Sequence, residues 1–142
     1  PYMPMDELEA EIQDGVEFWG LEENFKLMGV MGIQDKGAVA LIRHAYVRTA
    51  HRNRGVGTQL LRHLESLTNK PILVGTWAAA TWAIRFYDRN GYLLLIRQDA
   101  DRLLRQFWSI PERQIVTSVV LANRSWQLAQ NALQGGLPRN EN

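Results

Sequence analysis

Two glycines set among arginines form the first stretch with a chemistry of its own. Arg52-Asn53-Arg54-Gly55-Val56-Gly57-Thr58 stands between a β-prone run ending at Val47 and a helical pattern that opens near Gly57. Glycine permits a tight turn in which successive backbone N–H groups point toward one spot, and a helix start adds unpaired amides with a partial positive charge. Such a spot suits an anion. A pyrophosphate seated there would be held mainly by backbone donors, with Arg52 and Arg54 near enough to neutralise charge and Thr58 adding a hydroxyl. An isolated glycine pair is also what an ordinary strand-to-helix turn with solvated arginines looks like, so the surroundings decide its meaning. One alternative is poorly supported: a nucleotide-binding phosphate loop carries Lys-Ser/Thr directly after its last glycine, and Thr58 alone does not replace that pair.

The elements that position this loop are legible from pattern. Met5 to Asp14 places Leu8 and Ile12 on one face among acids, with Asp6 and Glu9 spaced as a capping box and Gly15 as a stop, which predicts a short amphipathic helix. Val16 to Leu21, Phe25 to Ile33 and Ala38 to Val47 are β-prone runs separated by Glu22-Glu23-Asn24 and Gln34-Asp35-Lys36-Gly37, an antiparallel meander. From Val56 the spacing of Leu60, Leu61, Leu64 and Leu67 is helical until Asn69-Lys70-Pro71. The apolar run Pro71 to Trp77 reads as a buried strand lying parallel to Ala38–Val47, completing a βαβ crossover. Ala78 to Asn90 reads as a helix closed by Gly91, Tyr92 to Ile96 as a strand, Asp99 to Trp108 as a small helix, and the β-branched run Gln114 to Ala122 as a closing strand. Arg124 to Asn142 is expected to start helical and to continue as a loosely attached tail, so the expected organisation is one domain over 1–123 and a tail over 124–142.

Bulk composition narrows the function classes. A 142-residue chain with 46% hydrophobic residues and a net charge of +1 can hold a core, and it lacks the basic field that nucleic acid would require. The absence of cysteine removes thiolate catalysis, disulfides and cysteine metal sites, leaving His44, His51 and His63 as the only imidazoles, so no metal centre is expected. No apolar run has the length of a membrane span and no signal-like start is present, so the expected address is cytoplasmic.

Within this frame Val47-Arg48-Thr49-Ala50-His51-Arg52-Asn53-Arg54-Gly55-Val56-Gly57-Thr58 resembles the acetyl-CoA motif of the GNAT superfamily of N-acetyltransferases, Gln/Arg-x-x-Gly-x-Gly/Ala. A second signature follows in order, because Ala83-Ile84-Arg85-Phe86-Tyr87-Asp88-Arg89-Asn90-Gly91-Tyr92 is similar to the family's Ala-x-x-Phe-Tyr-x-x-x-Gly-Phe. The resemblance covers Val16 through Val120. It implies an α/β fold whose central, mostly antiparallel sheet is splayed at a parallel pair and flanked by helices. It also implies acetyl-CoA as cofactor, held by Tyr46, Val47, Arg52, Asn53, Arg54, Gly55, Val56, Gly57 and Thr58, and transfer of the acetyl group to a primary amine by direct attack, with Tyr87 protonating the departing thiolate. The acceptor expected is a small-molecule amine.

The chain departs from the family pattern in three places. Where many members carry a pantetheine-binding Asn, seven positions before the helix tyrosine, this chain has Ala80; Thr81 or backbone groups are the available substitutes. The family's strand-and-helix opening is missing ahead of Met5, which implies an N-terminally truncated domain or a second chain completing that side. The family's glutamate base is absent from Leu41-Ile42-Arg43-His44-Ala45-Tyr46. By alternation Arg43 and His44 point to opposite faces, so only one of them can serve the substrate: His44 as a base, or Arg43 as a binder of an acidic substrate group. Glu17, Glu22 and Glu23, or a water relay, are the other routes for the proton. Trp19, Trp77, Trp82, Phe18 and Met28 are candidates for a pocket lining or for core, and His51 and His63 for surface groups. These departures motivate an alternative of a different class, a noncatalytic acyl-CoA-binding or regulatory module. The apolar run Ile115–Leu121 leaves a sheet edge that makes a homodimer possible.

Overall fold

Residues 5–48 and 54–135 are described by a computed structural model, in which the chain divides into two units, residues 1–69 and 70–142. The chain is of the mixed α/β class, and within each unit three strands run antiparallel.

The first unit begins with α1, Met5–Gln13, which Gly15 closes in the left-handed region at φ 95 while donating its N–H to Ile12 O over 3.0 Å. On its apolar face Leu8 is half-buried and Ile12 is 53% exposed, and polar contacts of Glu11 and of Asp14, just past the helix, tie α1 down. β1, Val16–Glu23, and β2, Lys26–Asp35, pair through a two-residue turn, with Glu23 opposite Lys26. Both turn residues, Asn24 and Phe25, have positive φ, 54 and 66, the combination a hairpin needs to match strand twist. Asparagine tolerates this region and phenylalanine does not, at a cost of roughly 1–2 kcal/mol. The expected break at Glu22-Glu23-Asn24 therefore shifts, with Glu22 and Glu23 inside β1 and Phe25 in the turn.

β3, Ala40–Val47, runs antiparallel to β2. Val30 pairs with Tyr46 but Gly32 with Arg43, so His44 and Ala45 together oppose Met31 in a β-bulge, and His44 takes φ 55. α2, Val56–Ser66, buries Val56, Leu60, Leu61 and Leu64. It settles on β2 over Gly29, where a Cβ would stand 3.0 Å from Val56 Cγ1 and 3.3 Å from Leu60 Cδ1. The missing side chain is what lets the helix start sit close to the strand.

In the second unit β4, Ile72–Trp77, is followed by α3, Thr81–Arg89, and a left-handed Gly91. β5 is only Leu93–Leu94, shorter than expected, and α4 spans Arg97–Phe107. The β-branched run after Pro111 divides: α5, Glu112–Val116, precedes β6, Ser118–Ala122. This corrects the single strand expected over Gln114–Ala122. Pro111 presets the first helical turn, and the Thr117 and Ser118 hydroxyls donate to Gln114 O over 3.2 and 2.6 Å, which closes the turn before the strand begins. β6 pairs antiparallel with β4 and with β5. α6, Arg124–Gly135, starts at Asn123, whose Oδ1 accepts from the Trp126 and Ile72 amides, each over 3.1 Å, and the Trp126 side chain is buried.

Candidate functional site

The start of α2 carries the features an anion site requires. Gly55 occupies its N-cap position at φ 82, which a Cβ would strain, and the position holds open space where a side chain would stand. No side chain caps this end, and the Gln59 N–H bonds back to Gly55 O over 2.9 Å. Amides of a first helical turn that have no capping oxygen are donors for a ligand, and the helix dipole favours negative charge there. Val56 is buried beside Gly29, so the helix start is anchored, while Gly57 and Thr58 remain half-buried and reachable. Tyr46 and Val47 end β3, both half-buried, paired with Val30 and Gly29. Arg54 is exposed. The other two candidates of the loop, Arg52 and Asn53, lie outside the described residues, as does His51.

A second cluster forms around the β3 bulge. Gln34, 1% exposed, donates through Nε2 to Asp14 O and Asp14 Oδ2, each over 2.9 Å, and accepts from Arg43 NH1 over 2.7 Å. Glu11 Oε1 stands 3.8 Å from Arg43 NH2 and 3.4 Å from His44 Nε2. Arg43 and His44 thus reach the same carboxylate, which corrects the expectation that alternation would separate them. The bulge and the left-handed His44 supply the reason, since an extra residue resets which way the next side chain points. Neither Gln34 nor Glu11 was identified from sequence. Gln34 sat in a polar stretch read as a turn, and Glu11 is one of several acids on α1, so only the pairing of distant elements singles them out. Glu17 accepts from Trp19 Nε1 over 2.7 Å, and the Trp19 ring packs edge-on to His63 at 4.3 Å between centroids.

Tyr87 belongs to the second unit, on α3. Its side chain is 4% exposed and lies edge-on to Phe86 and Tyr92, with centroids 4.9 and 5.6 Å away. Among the described residues its hydroxyl makes no hydrogen bond. A buried phenol without a partner costs roughly 1–3 kcal/mol, and such orphans in folded proteins call for an explanation. Burial pushes the Tyr87 phenol well above the ordinary tyrosine range, so the proton stays on oxygen. Ala80, at the N-cap of α3, is buried and brings no side-chain donor, while Thr81 is exposed. Trp77 and Trp82 are 65% and 68% exposed, so neither is core within the described residues. No cluster of three or more metal-ligating side chains occurs among the described residues, and no helix there is long and apolar enough to cross a membrane.

The profile of the acetyltransferase (GNAT) domain matches residues 14–93. No curated protein sequence matches the chain. The PaiA N-acetyltransferase of Thermoplasma acidophilum, solved in complex with coenzyme A, has a TM-score of 0.60 at 12% identity, over 82% of this chain and 65% of that one. This chain therefore spans just under two thirds of that protein. A GNAT acetyltransferase from Elizabethkingia anophelis with acetyl-CoA bound gives 0.62 at 16% identity, over 84% and 82% of the two chains. The ribosomal-protein-S18-alanine N-acetyltransferase of Escherichia coli gives 0.61 at 16%, over 86% and 77%. These likenesses establish the fold. With the family profile covering more than half of the sequence, the chain belongs to the GNAT family of acetyltransferases.

Proposed function

We propose that this chain transfers an acetyl group from acetyl-CoA to a primary amine by direct attack, with a small molecule as the acceptor and the cytoplasm as its setting. The observation that carries the reading is the Tyr87 hydroxyl, buried, protonated and without a partner among the described residues. Acetyl-CoA, when bound, supplies an activated acetyl thioester, and the GNAT relatives solved with coenzyme A or acetyl-CoA support it as the cosubstrate. The residues present fit it. The uncapped start of α2, with left-handed Gly55 and the amides of Val56 and Gly57, has the donors and dipole to hold a pyrophosphate. Arg52, Asn53, Arg54 and Thr58 add charge and hydrogen bonds, and Tyr46 and Val47 supply the end of β3 beside the loop. Tyr87 holds a proton for the sulfur that leaves as the nitrogen–carbon bond forms, which spares the site a bare thiolate. Arg43, at the bulge, binds an acidic group of the acceptor.

Isothermal titration with acetyl-CoA and with CoA tests the cofactor. The expected result is binding by the native chain and its loss in Gly57→Trp, where an indole covers the first-turn amides. Folded protein that binds neither ligand would defeat the reading. Ala80, which offers no amide where the family carries one, favours a second reading, a module that binds acyl-CoA without turnover; it predicts the same titration and no transfer.

A further inference from the structure

At the β3 bulge a cation and a carboxylate are held facing each other without being joined. Arg43 NH2 stands 3.8 Å from Glu11 Oε1, and His44 Nε2 stands 3.4 Å from the same oxygen, both longer than an ordinary N–H···O hydrogen bond. Other ion pairs of this chain close fully, Arg62–Glu65 to 2.8 Å and Arg97–Asp101 to 2.6 Å. Gln34 accounts for the separation. Its Oε1 accepts from Arg43 NH1 over 2.7 Å while its Nε2 is taken up by Asp14 O and Oδ2, so one buried amide fixes both the guanidinium and the chain just past the helix that carries Glu11. The side chains of Arg43, Glu11 and His44 keep 22%, 26% and 30% of their surface exposed, so a solute can reach them. Beside them the Phe18 ring stacks on the His44 imidazole, with centroids 6.0 Å apart and planes 28° from parallel, which makes a flat aromatic wall. His44 itself holds φ 55, backbone strain of the kind that folds retain at ligand sites.

A simple amine placed here satisfies Glu11 and faces the charge of Arg43, and a simple carboxylate satisfies Arg43 and faces that of Glu11. A zwitterion answers both. We propose that the acceptor is an α-amino acid with an apolar side chain. Its carboxylate lies on Arg43, its ammonium, the group to be acetylated, on Glu11, and its side chain along Phe18 and His44. The 3.8 Å between guanidinium and carboxylate suits two opposite charges borne by one carbon, since a longer spacer carries the second group past its partner. Gln34 holds the guanidinium in place before the ligand arrives, so little rotamer freedom is lost on binding. This deepens the proposed function and rests on it, replacing the open choice among small primary amines by one class. It also gives the acidic group that Arg43 binds a definite position, next to the nitrogen that attacks.

The test is a panel of paired acceptors given to the full chain with acetyl-CoA: leucine, methionine and phenylalanine, each beside its carboxamide, which keeps the amine and the side chain and lacks the negative charge. The expected result is a kcat/KM about tenfold or more higher for each acid than for its amide by the native chain, and a ratio of about one in Arg43→Met. Titration of the CoA-loaded chain with the same pairs shows the same preference in Kd. Arg43→Lys keeps a charge without the fork and retains part of the ratio, so the comparison stands even where Arg43→Met does not fold. Glu11→Gln weakens acid and amide alike. Equal handling of acids and amides by the native chain, transfer only to amines that carry no carboxylate, or a preference that both Arg43 variants leave intact overturns the proposal and leaves the acetyl-transfer reading standing. Native chain that binds acetyl-CoA and transfers to no amine of any kind overturns both.

Discussion

Tyr87 is where stability and the proposed chemistry oppose one another. Its hydroxyl is buried without a partner, so removing it costs the fold nothing that the structure shows, and Tyr87→Phe should be neutral or stabilising by up to about 1 kcal/mol near neutral pH. The pH dependence has a definite sign. The phenol is raised in the folded state, so near pH 10 and above the unfolded chain gives up this proton while the folded chain keeps it. Stability then falls as pH rises, because the unfolded state binds fewer protons. Below about pH 9 both states are protonated and Tyr87 contributes no slope. Urea unfolding of the native chain should therefore lose midpoint more steeply between about pH 9 and pH 11 than that of Tyr87→Phe. Identical slopes would mean that the phenol is hydrated. At this scale the sequence told which residue to watch, through Phe86-Tyr87 and Gly91, and could not tell that its hydroxyl would be orphaned. Burial of one side chain depends on Tyr92, Phe86 and the packing around them.

At the scale of elements, the order of helices and strands was legible because period and punctuation agreed: Gly15, Gly55 and Gly91 all lie at left-handed positions that end or begin a helix. Two kinds of feature were not. The β-branched run from Gln114 gave no sign that Thr117 and Ser118 would back-bond into a helical turn, since strand propensity does not register hydroxyls that donate to a backbone carbonyl. The bulge at His44 is set by pairing with β2, and no local pattern in Leu41–Tyr46 announces it. Gly29 is the complementary case, a glycine needed for a close approach and invisible to turn logic. A Cβ there would meet Tyr46 O and Val56 Cγ1, each at 3.0 Å, so Gly29→Val should destabilise the fold by roughly 1–3 kcal/mol. It should also displace the start of α2 and weaken coenzyme A binding beyond what the stability loss explains. Chemical denaturation beside titration separates the two effects, and a variant that binds normally would show that the helix start is not the anchor.

For the whole molecule, the family and fold were legible from two ordered motifs, while the acceptor was not. Acceptor pockets in such folds are made by variable loops, and nothing in a net charge of +1 selects one amine over another. The solved relatives make the point, since one of them is named for a ribosomal-protein alanine substrate on the same fold. The proposal for the whole molecule is narrower and testable: acetyl transfer in which Tyr87 delivers the proton. The most direct measurement is amine-dependent release of free CoA thiol from acetyl-CoA, across a panel of small primary amines, by the native chain and Tyr87→Phe side by side. The account predicts turnover by the native chain with at least one amine, and a loss of about a hundredfold or more in Tyr87→Phe with coenzyme A affinity unchanged. Turnover undiminished in Tyr87→Phe would contradict it.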